Sequence, residues 1–297
     1  MSNQGFSNAT LGDFLRACRA RVNPADVGLP DDGRHRKVPG LRREELAQLA
    51  NVSVDYVVRL EQGRTANVSA TVLESLARAL NLQPDERDYL LTVGAPAPRA
   101  ESGFKTPGTR ISPHTQMVID GLQEFPALVL GRRMDVLGWN AMGTALLADF
   151  GALPVPQRNL VRMAFLDPAF RELYDDWAKT ARECVAYLRM DAARYPEDKQ
   201  LAALVGELSV RDEDFRRWWG DHQVRTRARG RKAFRHPVAG PMTLNFQTLI
   251  LGSQPDQTLF VYTADPGSAS QEALRFLVTW AGSDEASSTG KDTLRRS

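Results

Sequence analysis

The stretch LRREELAQLANVSVDYVVRLEQGR, residues 41–64, decides the fold of the N-terminal part of the chain. The spacing of its apolar residues predicts two short helices, and Ser53 is a favourable N-cap for the second. Gly63 is expected to end that helix, because glycine readily adopts the left-handed conformation found just beyond a helix. Two short helices are therefore expected to meet across a tight turn.

The second of these helices has the length to enter the major groove of DNA, which is about 12 Å wide, if a partner helix holds it. Inward packing is expected from Leu46, Ala47, Leu49, Val57 and Leu60. The residues left facing outward are candidates for reading bases: Val54, Asp55, Tyr56 and Arg59. Candidates for contacting phosphate lie near helix ends, where charge and backbone N–H groups suit an anion: Arg42, Arg43, Ser53 and Arg64.

The rest of the chain divides by its composition. Apolar periodicity predicts five helices within an all-α domain over residues 11–93, after a disordered N-terminus over residues 1–10. Residues 94–110 are rich in proline and glycine and are expected to be a linker. Residues 111–282 mix helical and strand-like segments and predict an α+β domain, in which one long helix runs from Pro168 to the neighbourhood of Met190. A disordered polar tail is expected over residues 283–297.

Bulk properties exclude several classes of protein. The chain has 297 residues, enough for two domains, and its net charge of +2 excludes a uniformly basic coat for nucleic acid. We find no apolar run long enough to cross a bilayer and no export signal, so we expect a cytoplasmic, nucleoid-associated protein without a membrane partner. Cys18 and Cys184 lie in helical apolar patterns and are expected to be buried thiols without a disulfide.

The C-terminal domain contains candidate residues for a ligand pocket but no sequence motif of a catalytic or metal site. Its possible wall combines bulky apolar residues, each also a plausible core residue, with three polar ones: Trp139, Asn140, Arg162, Phe165, Trp177, Trp218, His222, Phe246 and Tyr262. No catalytic motif and no metal-ligand spacing is present, so we expect neither an enzyme nor a cofactor. Three roles remain open for the basic stretch over residues 222–236: contact with DNA at the flanks of the operator, binding of an anionic effector, or a solvated basic surface.

The pattern L-x-x-x-E-L-A-x-x-A-x-V-S-x-x-Y-V-x-x-L-E-x-G-R resembles the XRE-type helix-turn-helix shared with phage repressor and Cro proteins. The resemblance implies a sequence-specific DNA-binding regulator in which Val54, Asp55 and Arg59 read bases. It implies backbone contacts from Arg43 and Arg64. It also implies a structural bridge between Arg19 and Glu61. The long insertion between the first two helices departs from this pattern and carries Arg34, Arg36 and Lys37, which contact DNA or simply form a solvated loop.

A narrower resemblance covers nearly the whole chain. VPGLRREELAQLANVSVDYVVRLEQGR, LGRRMDVLGWN, RNLVRMAFLDP, GRKAFRHPVAG and VYTADPG are similar to MmyB-like regulators of actinobacterial type. That family implies a lambda-repressor-like domain joined to a PAS-like ligand-binding domain, with a fatty acid or another small apolar molecule as effector. We expect a homodimer on a double-stranded operator. Two alternatives remain: a C-terminal domain that only dimerises or binds protein, or an enzyme acting on an apolar substrate.

Overall fold

A computed structural model of the chain describes residues 4–29, 40–65, 68–94, 110–221, 229–252 and 254–280. The chain forms two compact units, and each unit takes two separate stretches of sequence. The first unit comprises Met1–Gly103 and Ala186–Thr226, and the second comprises Phe104–Val185 and Arg227–Ser297. The predicted domain over residues 111–282 therefore contributes to both units, because Ala186–Thr226 belongs to the first.

The N-terminal part of the first unit is all-α, as predicted. Its helices are α1 (Gln4–Arg21), α2 (Arg43–Ala50), α3 (Val54–Glu61), α4 (Ala70–Ala79) and α5 (Pro84–Gly94). Helix α1 begins at Gln4, upstream of Leu11, where the apolar periodicity predicted the first helix to begin. Residues 4–10 contain no proline, and nothing in their backbone chemistry stops the helix from extending upstream of Leu11.

Local signals end the short helices where the sequence predicted. Asn51 adopts a left-handed conformation with φ 53° and ends α2. The Ser53 hydroxyl accepts the Tyr56 N–H at 3.1 Å and caps α3. Gly63 follows α3 with φ 67°, a conformation that a side chain would disfavour. These caps fix the turn between α2 and α3 and the direction in which α3 leaves it.

One apolar core joins the helices of the first unit. Helix α1 contributes Leu11, Phe14 and Leu15, and all three are buried. Phe14 meets Tyr89 of α5 edge to face, with ring centroids 4.8 Å apart. Leu60 of α3 is buried in the same cluster. The core therefore fixes α3 against α1.

The second stretch of the first unit extends this core. It contains the end of α10 (Trp177–Arg194), then α11 (Lys199–Arg211) and α12 (Glu213–Gly220). Met190 is buried in the same cluster as Phe14 and Leu60. Arg189 hydrogen bonds to Tyr89 and donates to the Trp219 carbonyl, and its guanidinium lies 4.5 Å from the Trp219 ring.

The second unit is α+β, as predicted. Its strands are β1 (Ala127–Leu130), β2 (Val136–Trp139), β3 (Arg229–His236), β4 (Gly240–Leu251) and β5 (Gln254–Thr263). They form an antiparallel sheet in the order β2-β1-β5-β4-β3. Its remaining helices are α6 (Pro113–Asp120), α7 (Ala141–Leu146), α8 (Leu160–Leu166), α9 (Pro168–Glu172) and α13 (residues 269–280).

The long helix predicted from Pro168 to Met190 is interrupted. Helix α9 ends at Glu172, and α10 begins only at Trp177. Between them, the Leu173 carbonyl accepts the Arg235 N–H at 2.7 Å, and the Asp175 N–H donates to the Ala233 carbonyl at 3.0 Å. Pairing with β3 therefore replaces helical hydrogen bonds in this segment. The spacing of apolar residues along the chain does not reveal such a partner, because β3 lies about 60 residues later in the sequence.

Cys18 and Cys184 are both buried free thiols, as predicted. Burial raises the pKa of Cys18 to about 12 and that of Cys184 to about 11. Across the described residues, we find no helix with the length and apolar character needed to span a membrane.

Candidate nucleic-acid interface and ligand cavity

Helix α3 presents a solvent-facing surface that is supported from behind. Val57 and Leu60 are each 1% exposed on its inner side. Val54 is 39% exposed, and the side chains of Asp55 and Arg59 are 77% and 53% exposed. The structure thus brings these three predicted base-reading residues to one accessible face of α3, which we call the α3 face. Tyr56 differs from the prediction, because it is half-buried and packs against the core.

Asp55 and Arg59 form an ion pair on the α3 face, with 3.2 Å between Oδ2 and Nε. The Arg59 guanidinium also lies 5.8 Å from the centre of the Tyr56 ring. Because both members of the ion pair are exposed, their mutual attraction is weak and easily exchanged for another partner. Asp55 therefore holds Arg59 along the helix surface while the guanidinium remains exposed.

Glu61, at the end of α3, is the centre of a buried charged cluster. Its Oε1 accepts from Arg19 Nε at 2.6 Å, so the bridge implied by the family resemblance is present. Its Oε2 accepts from Arg43 Nε at 2.7 Å, a contact that the sequence did not predict. Arg19 also donates to the Leu41 carbonyl at 2.6 Å. We call Arg19, Arg43 and Glu61 the Glu61 cluster; it fastens α1, α2 and α3 together.

Arg43 is only partly enclosed by the Glu61 cluster. One edge of its guanidinium is occupied by Glu61, while the side chain remains 45% exposed. Arg43 is the first residue of α2, and the N–H groups and dipole at a helix N-terminus favour an anion. No local pattern in the sequence indicates the contact with Glu61, because Arg43 and Glu61 lie 18 residues apart.

The remaining phosphate candidates lie at helix ends. The Arg42 N–H donates to Glu45 Oε2 at 2.7 Å and so begins α2, and its side chain is half-buried. Ser53 and Arg64 are exposed at the two ends of α3. The basic loop residues Arg34, Arg36 and Lys37 lie outside the described residues.

The second unit contains an open cavity of about 750 Å³. Its walls come from α7 and the segment after it, from α9, from the turn after β3 and from Trp280: residues 141, 144–149, 167, 169–170, 173, 236–238 and 280. Alanine, leucine, valine and aromatic side chains dominate the lining. The polar side chains are those of Thr144, Asp149, Asp167 and His236.

The residues predicted to line a pocket do not line this cavity. Asn140 is buried and caps α7, and its amide nitrogen donates to three backbone carbonyls, at Ile119, Leu122 and Phe125. Trp218 lies in the first unit, and Tyr262 is a core residue of the sheet. The other described candidates are likewise absent from the cavity wall: Trp139, Arg162, Phe165, Trp177 and Phe246. His222 lies outside the described residues.

Two family models match the chain. A helix-turn-helix domain matches residues 10–90, and an MmyB-like transcription regulator ligand binding domain matches residues 111–277. The chain belongs to the MmyB-like transcription regulators. It is a DNA-binding transcription regulator with a C-terminal ligand-binding domain. No curated protein sequence matches the chain.

The residues of this regulator that match the ligand-binding family do not coincide with either compact unit of the structure. The match over residues 111–277 includes Ala186–Thr226, which packs in the first unit with the helix-turn-helix. The division between the units falls within α10. One part of the ligand-binding sequence is thus built into the DNA-binding unit.

Proposed function

We propose that this regulator binds a specific operator as a homodimer, with α3 of each copy in the major groove. The proposal depends on the α3 face, because Val54, Asp55 and Arg59 are accessible on a helix that is locked from behind by Val57 and Leu60. Such a helix reaches base edges, and two copies about 34 Å apart match successive major grooves of a near-palindromic site.

The residues of the α3 face have separate roles in this proposal. Arg59 donates both ends of its guanidinium to a guanine, and Asp55 orients it or accepts from a cytosine. Val54 contacts a thymine methyl group. Arg42, Arg43, Ser53 and Arg64 bind phosphate oxygens and set the register of the protein on the duplex.

The ligand-binding domain, in this proposal, senses a small apolar effector, the class to which a fatty acid belongs. The mostly apolar cavity of the second unit supports this assignment. The effector controls transcription by binding two arrangements of the DNA-binding units with different affinity, a coupling of typically about 1–3 kcal/mol. The domain acts as a sensor without catalysis, and the regulator works in the cytoplasm, where its operator lies.

Two variants separate base reading from phosphate binding. We expect Arg59→Ala to reduce the preference for a selected operator over random duplex by about 1–3 kcal/mol. Arg64→Ala is expected to weaken binding to both duplexes alike and to lower the slope of log affinity against log salt by about 1. Arg43 is a poorer choice for this comparison, because its removal also opens the Glu61 cluster.

Fluorescence anisotropy of labelled operator and random duplexes, titrated across a range of salt, measures both effects. The matched control is Arg78→Ala, an exposed arginine on α4 that is outside the proposed interface. Equal losses of specific and random binding for Arg59→Ala, or an affinity that does not change with salt, would contradict the proposed roles.

A further inference from the structure

The charges around the cavity of the second unit restrict what it can hold. The lining residues that the structure describes include two aspartates, Asp149 and Asp167, but neither lysine nor arginine. Among these described lining residues, a carboxylate ligand would meet two negative charges and no cation to pair with. Burying an unpaired anion next to like charges is unfavourable in a partly apolar site.

His236 does not supply the missing positive charge. Its Nδ1 accepts the N–H groups of Val238 at 3.2 Å and Ala239 at 3.1 Å, so this nitrogen carries no proton. Its Nε2 donates to the Ala145 carbonyl at 2.8 Å. Protonating Nδ1 would remove both accepted hydrogen bonds, and burial lowers the pKa of the ring further. His236 is therefore a neutral part of the wall.

The two aspartates retain capacity for a ligand. Asp167 caps α9 through Oδ1, which accepts from the N–H of Ala169 at 3.0 Å and of Phe170 at 3.4 Å. Asp149 uses Oδ1 in the same way toward Gly151 at 2.9 Å and Ala152 at 3.2 Å. Within the part of the chain that the structure describes, Oδ2 of each aspartate makes no hydrogen bond. One oxygen of each carboxylate is therefore fixed by the fold while the other is available.

We infer that the effector of this regulator is an apolar molecule with a protonated amine, whose apolar part fills the cavity and whose ammonium group binds an aspartate of the wall, Asp149 or Asp167. The inference rests on the proposed function, since it names the class of effector for the same domain. A volume of about 750 Å³ is in the range of small-molecule sites and accommodates a chain of ten carbons. The ammonium donates to the available Oδ2 atom of that aspartate, and the aliphatic chain contacts Leu146, Phe170 and Val238.

Three ligands with the same ten-carbon chain test the inference: decylamine, decanol and decanoate. At pH 7 the amine is protonated and the acid is ionised, so the three differ in the charge of one end group. Binding to the full-length protein, freed of copurified lipid, is measured by isothermal titration calorimetry below the micelle concentration of each ligand. We expect decylamine to bind at least about tenfold more tightly than decanoate, with decanol between them.

Isosteric variants then locate the origin of the preference. Asp149→Asn and Asp167→Asn keep the oxygen that caps the neighbouring N–H groups, because asparagine is as good a cap as aspartate. The double variant is expected to bind decanol as before and to lose the tenfold preference for decylamine. The control variant Glu124→Gln removes an exposed charge outside the cavity wall and is expected to leave all three affinities unchanged.

The outcomes separate this inference from the proposed function. Binding of decanoate as tightly as decylamine, or a preference for decylamine that persists in the double variant, overturns the amine assignment and leaves an apolar effector in place. If none of the three ligands binds while operator binding persists, both the amine assignment and the apolar effector are overturned, and DNA recognition is unaffected.

Discussion

Glu61 is a buried carboxylate whose two oxygens bind arginines from two other helices. Its side chain is 1% exposed, and those of Arg19 and Arg43 are 13% and 45% exposed. A charge taken out of water in this way is tolerated only when its partners remain in place. The family pattern implied Arg19, because a bridge between the first and third helices is part of that pattern. Arg43 was predicted only as a phosphate contact, since nothing local shows that a buried glutamate will use both of its oxygens.

Removing Glu61 should cost more than removing an exposed ion-pair partner on the same helix. We expect Glu61→Ala to lower the free energy of unfolding by about 3 kcal/mol, because Arg19 loses its carboxylate in a half-buried position. The control Asp55→Ala breaks only the exposed ion pair with Arg59. It is expected to change the free energy of unfolding by less than about 1 kcal/mol. Urea unfolding of the two variants measures the difference. Similar losses would show that the Glu61 cluster does not stabilise the unit.

At the level of elements, α1 and α3 approach so closely that no side chain fits between them at Gly12. A Cβ atom built at this position would lie 2.6 Å from the Glu61 carbonyl oxygen and 2.9 Å from that of Leu60. Both are backbone atoms and cannot rotate away. The position of α3 therefore depends on a glycine in α1.

Gly12→Ala is expected to force α1 and α3 apart. We expect it to reduce the free energy of unfolding by about 1–3 kcal/mol, in spite of the better helix propensity of alanine. Operator affinity should fall with it, because the α3 face loses its support. Gly206→Ala in α11 is the matched control: its Cβ meets no atom within 4 Å, so this variant should gain up to about 1 kcal/mol. Thermal unfolding and DNA titration compare the two, and a Gly12→Ala protein as stable as the Gly206→Ala protein would contradict the close contact.

Elements whose limits are set by local chemistry could be predicted from the sequence. Ser53 and Gly63 predicted the two ends of α3 correctly. Contacts between distant segments could not be predicted in this way. Periodicity joined α9 to α10, while the backbone around Leu173 instead pairs with β3. For the same reason several aromatic residues offered as a pocket wall, among them Phe165, Phe246 and Tyr262, are core residues, whereas the cavity uses small residues such as Ala145 that no pattern distinguishes.

At the scale of the whole molecule, the stretch Ala186–Thr226 belongs in sequence to the ligand-binding domain and in structure to the DNA-binding unit. Within that unit, Met190 enters the apolar core of the helix-turn-helix, and Arg189 joins Tyr89 to the Trp219 carbonyl. Burial raises the pKa of the Tyr89 hydroxyl, which therefore stays neutral as a partner for this arginine. The DNA-binding unit is incomplete without residues from the second family match.

Arg189→Ala should therefore weaken the helix-turn-helix although residue 189 lies outside its sequence domain. We expect a loss of about 2 kcal/mol, since a buried arginine loses hydrogen bonds to Tyr89 and to the Trp219 carbonyl. Hydrogen exchange with mass spectrometry should find faster exchange in α1 and α5, which meet at Phe14 and Tyr89. Arg194→Ala, an exposed residue later on α10, is the control and should leave both helices protected. If faster exchange in the Arg189 variant were confined to residues 111–185, the assignment of this stretch to the DNA-binding unit would be wrong.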